Sequence, residues 1–125
     1  AVGGGGIPVI RKGEYLHGVE AVIDKDRAAS VLADNVGADR LFMLTNVDYV
    51  YTDYGMETQE PIKSIPASEL RARYSKYEFP AGSMGPKVRA ALDFVENGGE
   101  MAVITGTSDL LDACRSEKGT RVLPG

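Results

Sequence analysis

The segment FPAGSMGPKVRAALDFVENGGEMAVIT, Phe79–Thr105, decides how the rest of the chain is read. Pro86 suits the first turn of a helix, where the N–H it lacks has no intrahelical partner anyway. KVRAALDFVEN continues that helix, and Gly98 and Gly99 end it. MAVIT follows as a short apolar strand of the buried kind. Ahead of the helix, GSMG gives a glycine-rich approach and Lys87 comes at once after Pro86. Free backbone N–H groups, a positive helix end and a mobile cation together suit a phosphate. An ordinary loop with a proline-started helix accounts equally well for this segment taken alone.

Working outward, SDLLDACRS reads as another helix and TRVL as a last strand. Upstream, a helix is expected from about Ala67 to Tyr74. RLFMLTNV reads as a continuous apolar strand covered on both faces by crossover helices. DRAASVLADNVG carries Ala28, Val31, Leu32 and Asn35 or Val36 at the helical period, with Asp24 or Asp26 as cap and Gly37 as stop. PVIRKGEYLHGVEAVID reads as a hairpin turning between Gly13 and Gly18, with Val9 and Ile10 on one arm and Val19, Ala21, Val22 and Ile23 on the other. This order predicts an α/β fold, a three-layer αβα sandwich on a mostly parallel sheet with a hairpin near its start. Ligands of such sheets bind beyond the carboxyl ends of the strands. The loops that meet there are GGGGIP, IDKD, LTNVDYVYTDYG and FPAGSMGPK.

Composition narrows the function. The 125 residues are 43% apolar, enough for one domain with a sizeable core and no second one. A net charge of -4 argues against a broad nucleic-acid or anionic-membrane surface, so any anion site must be local. No apolar run reaches membrane-spanning length, and no leader resembles a signal peptide. The single cysteine, Cys114, permits no internal disulfide, suits a reducing cytoplasm, and is expected as buried filler beside Leu110 and Leu111. His17 is expected on a surface turn. One histidine and one cysteine make neither a zinc cluster nor a Ser-His or Cys-His nucleophile. Neither GxxxxGK[ST] nor GxGxxG occurs.

The remaining candidates lie in the four loops. Gly3, Gly4, Gly5 and Gly6 form a run that suits either a flexible leader or a bare backbone over which a charged ligand can pass. In IDKD, Lys25 stands between Asp24 and Asp26, which can aim its ammonium at an anion; a solvated capping cluster fits the same residues. LTNVDYVYTDYG leaves the core with Asp48, Tyr49, Tyr51, Asp53 and Tyr54, suited to a nucleotide's base and ribose and equally to ordinary strand-to-loop chemistry.

Taken together, GGGGIPVI, GVEAVIDKDRAA, LTNVDYVYTDYG, FPAGSMGPKVRAALDFVENGGEMAVIT and GTRVLP resemble, in order, the C-terminal part of the carbamate kinases, of the amino acid kinase superfamily. GVEAVIDKD and AGSMGPK are specific as a pair, and the resemblance covers essentially the whole chain. It implies an αβα sandwich, ATP or ADP with Mg²⁺ held through the phosphates, and reversible phosphoryl transfer between ATP and carbamate to give ADP and carbamoyl phosphate. It also implies a cytoplasmic enzyme of arginine catabolism running mostly toward ATP, and a homodimer when full-length. Carried over by position, it makes Lys25 and Lys87 catalytic lysines and Asp26 the aspartate that organises them. Thr45, Asn46, Val47, Asp48 and Tyr51, with Ala81, Gly82, Ser83, Met84 and Gly85, become the nucleotide pocket. Gly3–Gly6 become the glycines facing carbamate and the transferring phosphate.

Two departures accompany the resemblance. The chain reads LTNVD where the family usually reads LTDVD, so Asn46 replaces a charge with a neutral hydrogen-bonding group. Family chains are also more than twice as long, and their first half carries another glycine-rich loop, a further lysine, most of the carbamate pocket and the main dimer surface. Only Ala1 and Val2 precede the glycines here, so the chain reads as a nucleotide-binding part that needs an N-terminal half and is inactive alone. A non-catalytic nucleotide-binding or assembly module, and half of an amino acid kinase with another acid substrate, remain open alternatives.

Overall fold

The computed structural model describes residues 1–76, 79 and 84–125. Its centre is a four-stranded sheet in the order β3 (Arg40–Thr45), β7 (Met101–Gly106), β8 (Thr120–Leu123), β6 (Ser64–Pro66). β3 runs parallel to β7 with Thr45 opposite Gly106, and β6 runs parallel to β8. β7 and β8 are antiparallel, so the sheet is mixed, with two parallel pairings and one antiparallel. The connection between them holds a 3₁₀ turn (Thr107–Asp109) and the five-residue helix α4 (Leu110–Cys114).

Helix α3 (Met84–Glu96) is buried on most of its circumference because it packs on the sheet while α1 (Lys25–Asn35) and α2 (Ala67–Ser75) pack on its flanks. Val88, Leu92, Phe94 and Val95 meet Ala102, Ile104 and Val122 in the main core. In β7 every residue from Ala102 to Gly106 is buried, so both faces of that strand are covered, as its apolar run predicts. Arg71 ties α2 to α3 through Glu96 (Nε to Oε1, 3.0 Å) and Asp93, and these bonds, Glu96 first, hold its guanidinium above its ordinary pKa. Gly99 returns its N–H to the Phe94 carbonyl at 3.0 Å, where a Cβ would overlap the Phe94 ring. Gly99→Ala is therefore expected to cost about 1–3 kcal/mol through overpacking, read as a lower urea midpoint at unchanged slope.

Several expectations are corrected. The hairpin is β1 (Val9–Lys12) with β2 (Tyr15–Gly18), not with Val19–Ile23. Its two-residue loop places Gly13 at φ 63°, the conformation a glycine-first tight turn requires, so the chain turns early and the second arm is used up by Gly18. His17 lies on β2 and is exposed. In α1 the buried face is Asp26, Ser30 and Ala33, while Val31, Leu32 and Val36 face outward. β3 buries only Met43, because it is the sheet's edge among the described residues. Cys114 is exposed, since α4 turns Ala113 inward and leaves Leu111 and Cys114, three apart, on its outer side.

Three short strands were not anticipated: β4 (Val50–Thr52), β5 (Glu60–Ile62) and β6. Pro61 and Pro66 mark the last two as non-strands in sequence. β4 and β5 form an antiparallel ribbon joined to β8 by Thr120, whose hydroxyl accepts from the Val50 N–H at 2.8 Å and donates to the Ile62 carbonyl. That junction holds the tyrosine-bearing loop against the carboxyl end of the sheet. No helix among the described residues is long and apolar enough to cross a membrane.

Candidate active site

Asp24 caps α1 by accepting the Arg27 N–H at 2.9 Å, so Lys25 opens the helix and Asp26 sits in its first turn. Asp26 points at α3. Lys87 Nζ donates to both of its oxygens at 2.9 Å, and the two side chains are 5% and 10% exposed respectively. Lys25 Nζ lies 3.6 Å from Asp26 Oδ2, but its side chain is 56% exposed. The N-terminal ends of α1 and α3 thus converge on one carboxylate with two ammonium groups, one buried and one in solvent. Ser30 and Ala33, the other inward residues of α1, are small and permit the helices' close approach. A buried ion pair stabilises poorly compared with apolar packing because both charges must be desolvated. What it does well is fix the place of an ammonium beside two positive helix ends, which is how an anion is held.

The glycine run lies against this site's flank. A Cβ at Gly5 would fall inside the Ile23 carbonyl, two residues before Lys25, so the bare backbone is needed for the approach of the two segments. Gly3, Gly4 and Gly6 are exposed.

Beyond the carboxyl ends of β3 and β7 lie two cavities that share Asn46, Val47, Tyr51 and Tyr54. The polar one, ≈ 630 Å³, is bounded by Thr45–Asp48 on one side and Gly106–Asp109 on the other. The more apolar one, ≈ 440 Å³, has Tyr49, Tyr54, Met56, Phe79 and Met84 in its wall. Tyr51 meets Tyr49 edge-on at 6.4 Å and Tyr54 tilted at 6.0 Å between centroids, giving an aromatic surface beside hydrogen-bonding groups. Asn46 borders both cavities, its Oδ1 accepting from the Thr45 hydroxyl at 3.3 Å. The loop is closed by Gln59, which accepts the Gly55 N–H at 2.7 Å, and by Thr58, whose hydroxyl donates to Asp53 at 3.1 Å.

The Tyr51 hydroxyl donates to Asp48 Oδ1 at 2.7 Å. This bond, ahead of burial, pushes the Tyr51 phenol up to about 12, and against the opposing effect of burial it holds the Asp48 carboxyl below its ordinary value. Because the folded phenol keeps its proton longer than the unfolded one, its contribution is complete below the ordinary value of 10.0 and lost as pH rises toward about 12. Asp48's contribution has the opposite sign, present at neutral pH and lost as pH falls through its lowered folded value. Asp48→Asn is accordingly expected to bring one tyrosine's ionisation to lower pH in a spectrophotometric titration, and Tyr51→Phe to remove that component. Superimposable curves for wild type and Asp48→Asn would contradict the pairing.

The structure therefore brings Lys25, Asp26 and Lys87 together, and sets Thr45, Asn46, Val47, Asp48 and Tyr51 around the cavities. Met84 and Gly85 open α3. Ala81, Gly82 and Ser83 lie outside the described residues. Sequence reasoning missed Gly106, Thr107, Ser108 and Asp109, which form the second wall of the polar cavity. Their signal was position alone: a small polar run following a buried strand next to β3. Among the described residues no three His, Cys, Asp or Glu side chains converge as metal ligands. Mg²⁺ that is carried on nucleotide phosphates needs no such protein cage.

A strand-end cleft of this kind, with the start of α3 in its wall, accompanies a match to the amino acid kinase family over residues 3–106, and the chain belongs to that family. Within it the similarity is to carbamate kinases: those of Thermoplasma acidophilum and Halobacterium salinarum are each 46% identical over 98% of this chain. The solved carbamate kinase from Giardia lamblia bound to AMP-PNP superposes with a TM-score of 0.93 at 41% identity, over 97% of this chain and 42% of that one. The chain spans only 40% of the length of the two curated relatives.

Proposed function

We propose that this chain is the nucleotide-binding part of a carbamate kinase, which transfers a phosphoryl group reversibly between ATP and carbamate to give ADP and carbamoyl phosphate. The observation that carries the proposal is the buried Lys87–Asp26 pair at the joined N-termini of α1 and α3, with exposed Lys25 beside it. In phosphoryl transfer the protein's work is positioning and electrostatic stabilisation, because charge spreads over the equatorial and bridging oxygens. Lys87 is held by Asp26 and presents its ammonium at a fixed place. Asp26 accepts both bonds and takes no proton. Lys25, free in solvent, closes onto the phosphate, and the helix ends and the glycine backbone supply N–H donors. Tyr49, Tyr54, Met56 and Met84 pack the base, and the polar groups at the ends of β3 and β7 take the ribose. Bound Mg²⁺ neutralises phosphate charge.

On this reading the isolated chain binds ADP weakly and turns over little, since the acceptor pocket and the second side of the phosphate clamp belong to the rest of the enzyme. A coupled assay for ATP formation from ADP and carbamoyl phosphate is expected to show no more than background. A thermal shift with millimolar Mg·ADP is expected to be positive. Turnover at the level of a complete relative would overturn the claim of inactivity, and absence of any shift would overturn the nucleotide site.

A further inference from the structure

Thr120 is fully buried at the start of β8, and its hydroxyl is spent on two backbone groups of a different sheet. It accepts from the Val50 N–H at 2.8 Å and donates to the Ile62 carbonyl, and Val50 faces Ile62 across the β4–β5 ribbon. One side chain thus grips both strands of the ribbon at a single rung. Among the described residues this hydroxyl makes the only side-chain hydrogen bonds between the ribbon and the four-stranded sheet. A two-stranded ribbon is marginally stable in water by itself, so its place depends on what anchors it. The buried Val50 and Ile62 side chains supply apolar attraction, which has no direction, whereas a hydroxyl with donor and acceptor both engaged fixes an orientation. The anchor is itself firmly seated. Thr120 pairs with Ile104 of β7, and a Cβ on the preceding Gly119 would stand 3.0 Å from the Ile104 carbonyl oxygen.

The ribbon carries one wall of the candidate nucleotide site. Tyr51, next in the chain to Val50, and Tyr54, on the loop joining the two strands, line both cavities; Met56 and Gln59 of the same loop line one each. We propose that Thr120 is a positioning residue for nucleotide binding. It lines neither cavity, and through Val50 and Ile62 it holds Tyr51 and the loop beyond it where base and ribose are received. The inference rests on the nucleotide reading of this site. Without the hydroxyl, the Val50 N–H and the Ile62 carbonyl lose their shared partner in a buried place, which favours a ribbon shifted toward solvent and takes the aromatic wall with it.

The test is a thermal-shift titration of this chain with Mg·ADP, run on wild type, Thr120→Val, Thr120→Ser and Val122→Ala. Thr120→Val keeps the shape of the side chain and removes the hydroxyl, so it should weaken ADP binding about tenfold or more and speed hydrogen exchange at the β4 amides. Thr120→Ser keeps the hydroxyl and should bind as wild type does. Val122→Ala opens a cavity farther along the same strand, so it should lower the urea midpoint while leaving ADP affinity as it is. A Thr120 that served folding alone would make Thr120→Val and Val122→Ala behave alike. Should Thr120→Val not fold, wild type decides the matter, because coupling between two sites is reciprocal: Mg·ADP should slow exchange of the Val50 and Tyr51 amides about tenfold or more. No such slowing, undiminished affinity in Thr120→Val, or equal losses of affinity in Thr120→Val and Val122→Ala overturns the inference. A wild-type chain that gives no shift at all overturns the nucleotide site and this inference with it, whereas a wild-type shift that Thr120→Val retains in full counts against Thr120 alone.

Discussion

Lys87→Ala is expected to damage both stability and turnover. In the isolated chain it leaves Asp26 buried without its ion-pair partner, and breaking a buried pair from one side costs about 3–5 kcal/mol. The urea midpoint should fall accordingly. Asp26→Leu combined with Lys87→Met should recover most of that loss, because no uncompensated charge remains. In the completed enzyme both variants should be slower by roughly a hundredfold or more, since the ammonium proposed to meet the transferring phosphoryl group is absent from each. Recovery of stability without recovery of rate separates a catalytic ammonium from a merely structural one. Lys87→Arg should not restore the rate, because a planar guanidinium does not occupy the place of a compact ammonium bonded to both oxygens of one carboxylate. Near-normal steady-state turnover for Lys87→Ala would remove this residue from the chemistry.

Lys25→Ala should give the complementary result. Its side chain is 56% exposed and its nearest carboxylate oxygen is 3.6 Å away, so folding stability should change by less than about 0.5 kcal/mol. In the completed enzyme the rate should still fall by roughly a hundredfold or more, with a smaller effect on nucleotide affinity, as expected for charge stabilisation that matters most in the transition state. Measuring kcat and KM in the direction of ATP formation, beside the urea midpoint of the isolated chain, places the two lysines on different axes. The expected outcome is that Lys87→Ala lowers both stability and rate, whereas Lys25→Ala lowers the rate alone. Equal effects on stability for both would contradict the difference in burial, and unchanged turnover for Lys25→Ala would return it to the solvated cap.

Much of this was legible from residue pattern. Pro86 and the Gly98–Gly99 pair bracket a helix, and the structure extends it only two residues earlier, to Met84. MAVIT reads as a strand covered on both faces and is one. IDKD and MGPK announce two lysines and an aspartate at helix starts. What pattern misjudged were faces and partners. Val31, Leu32 and Val36 obey the helical period, but period says only that residues share a side, and α1 spends its inward side on Asp26, Ser30 and Ala33 to meet α3 closely. Cys114 failed for the same reason, with Ala113 taking the inward position on a five-residue helix. β5 and β6 escaped notice because a proline in a three-residue strand reads as a break.

The sequence by itself determined the order of helices and strands, the sites where the chain must turn, and the types of side chain available for chemistry, because propensity, capping and periodicity are local properties. Tertiary structure alone decided that Lys87 and Asp26, 61 positions apart, share two hydrogen bonds while Lys25, adjacent to Asp26, remains in solvent. It also decided that Gly106–Asp109 faces Thr45–Asp48, since that pairing depends on the parallel register of β3 with β7. The physical reason is that ion-pair geometry, desolvation and the shape of a cleft depend on distances between segments remote in sequence, which packing fixes and no local pattern encodes.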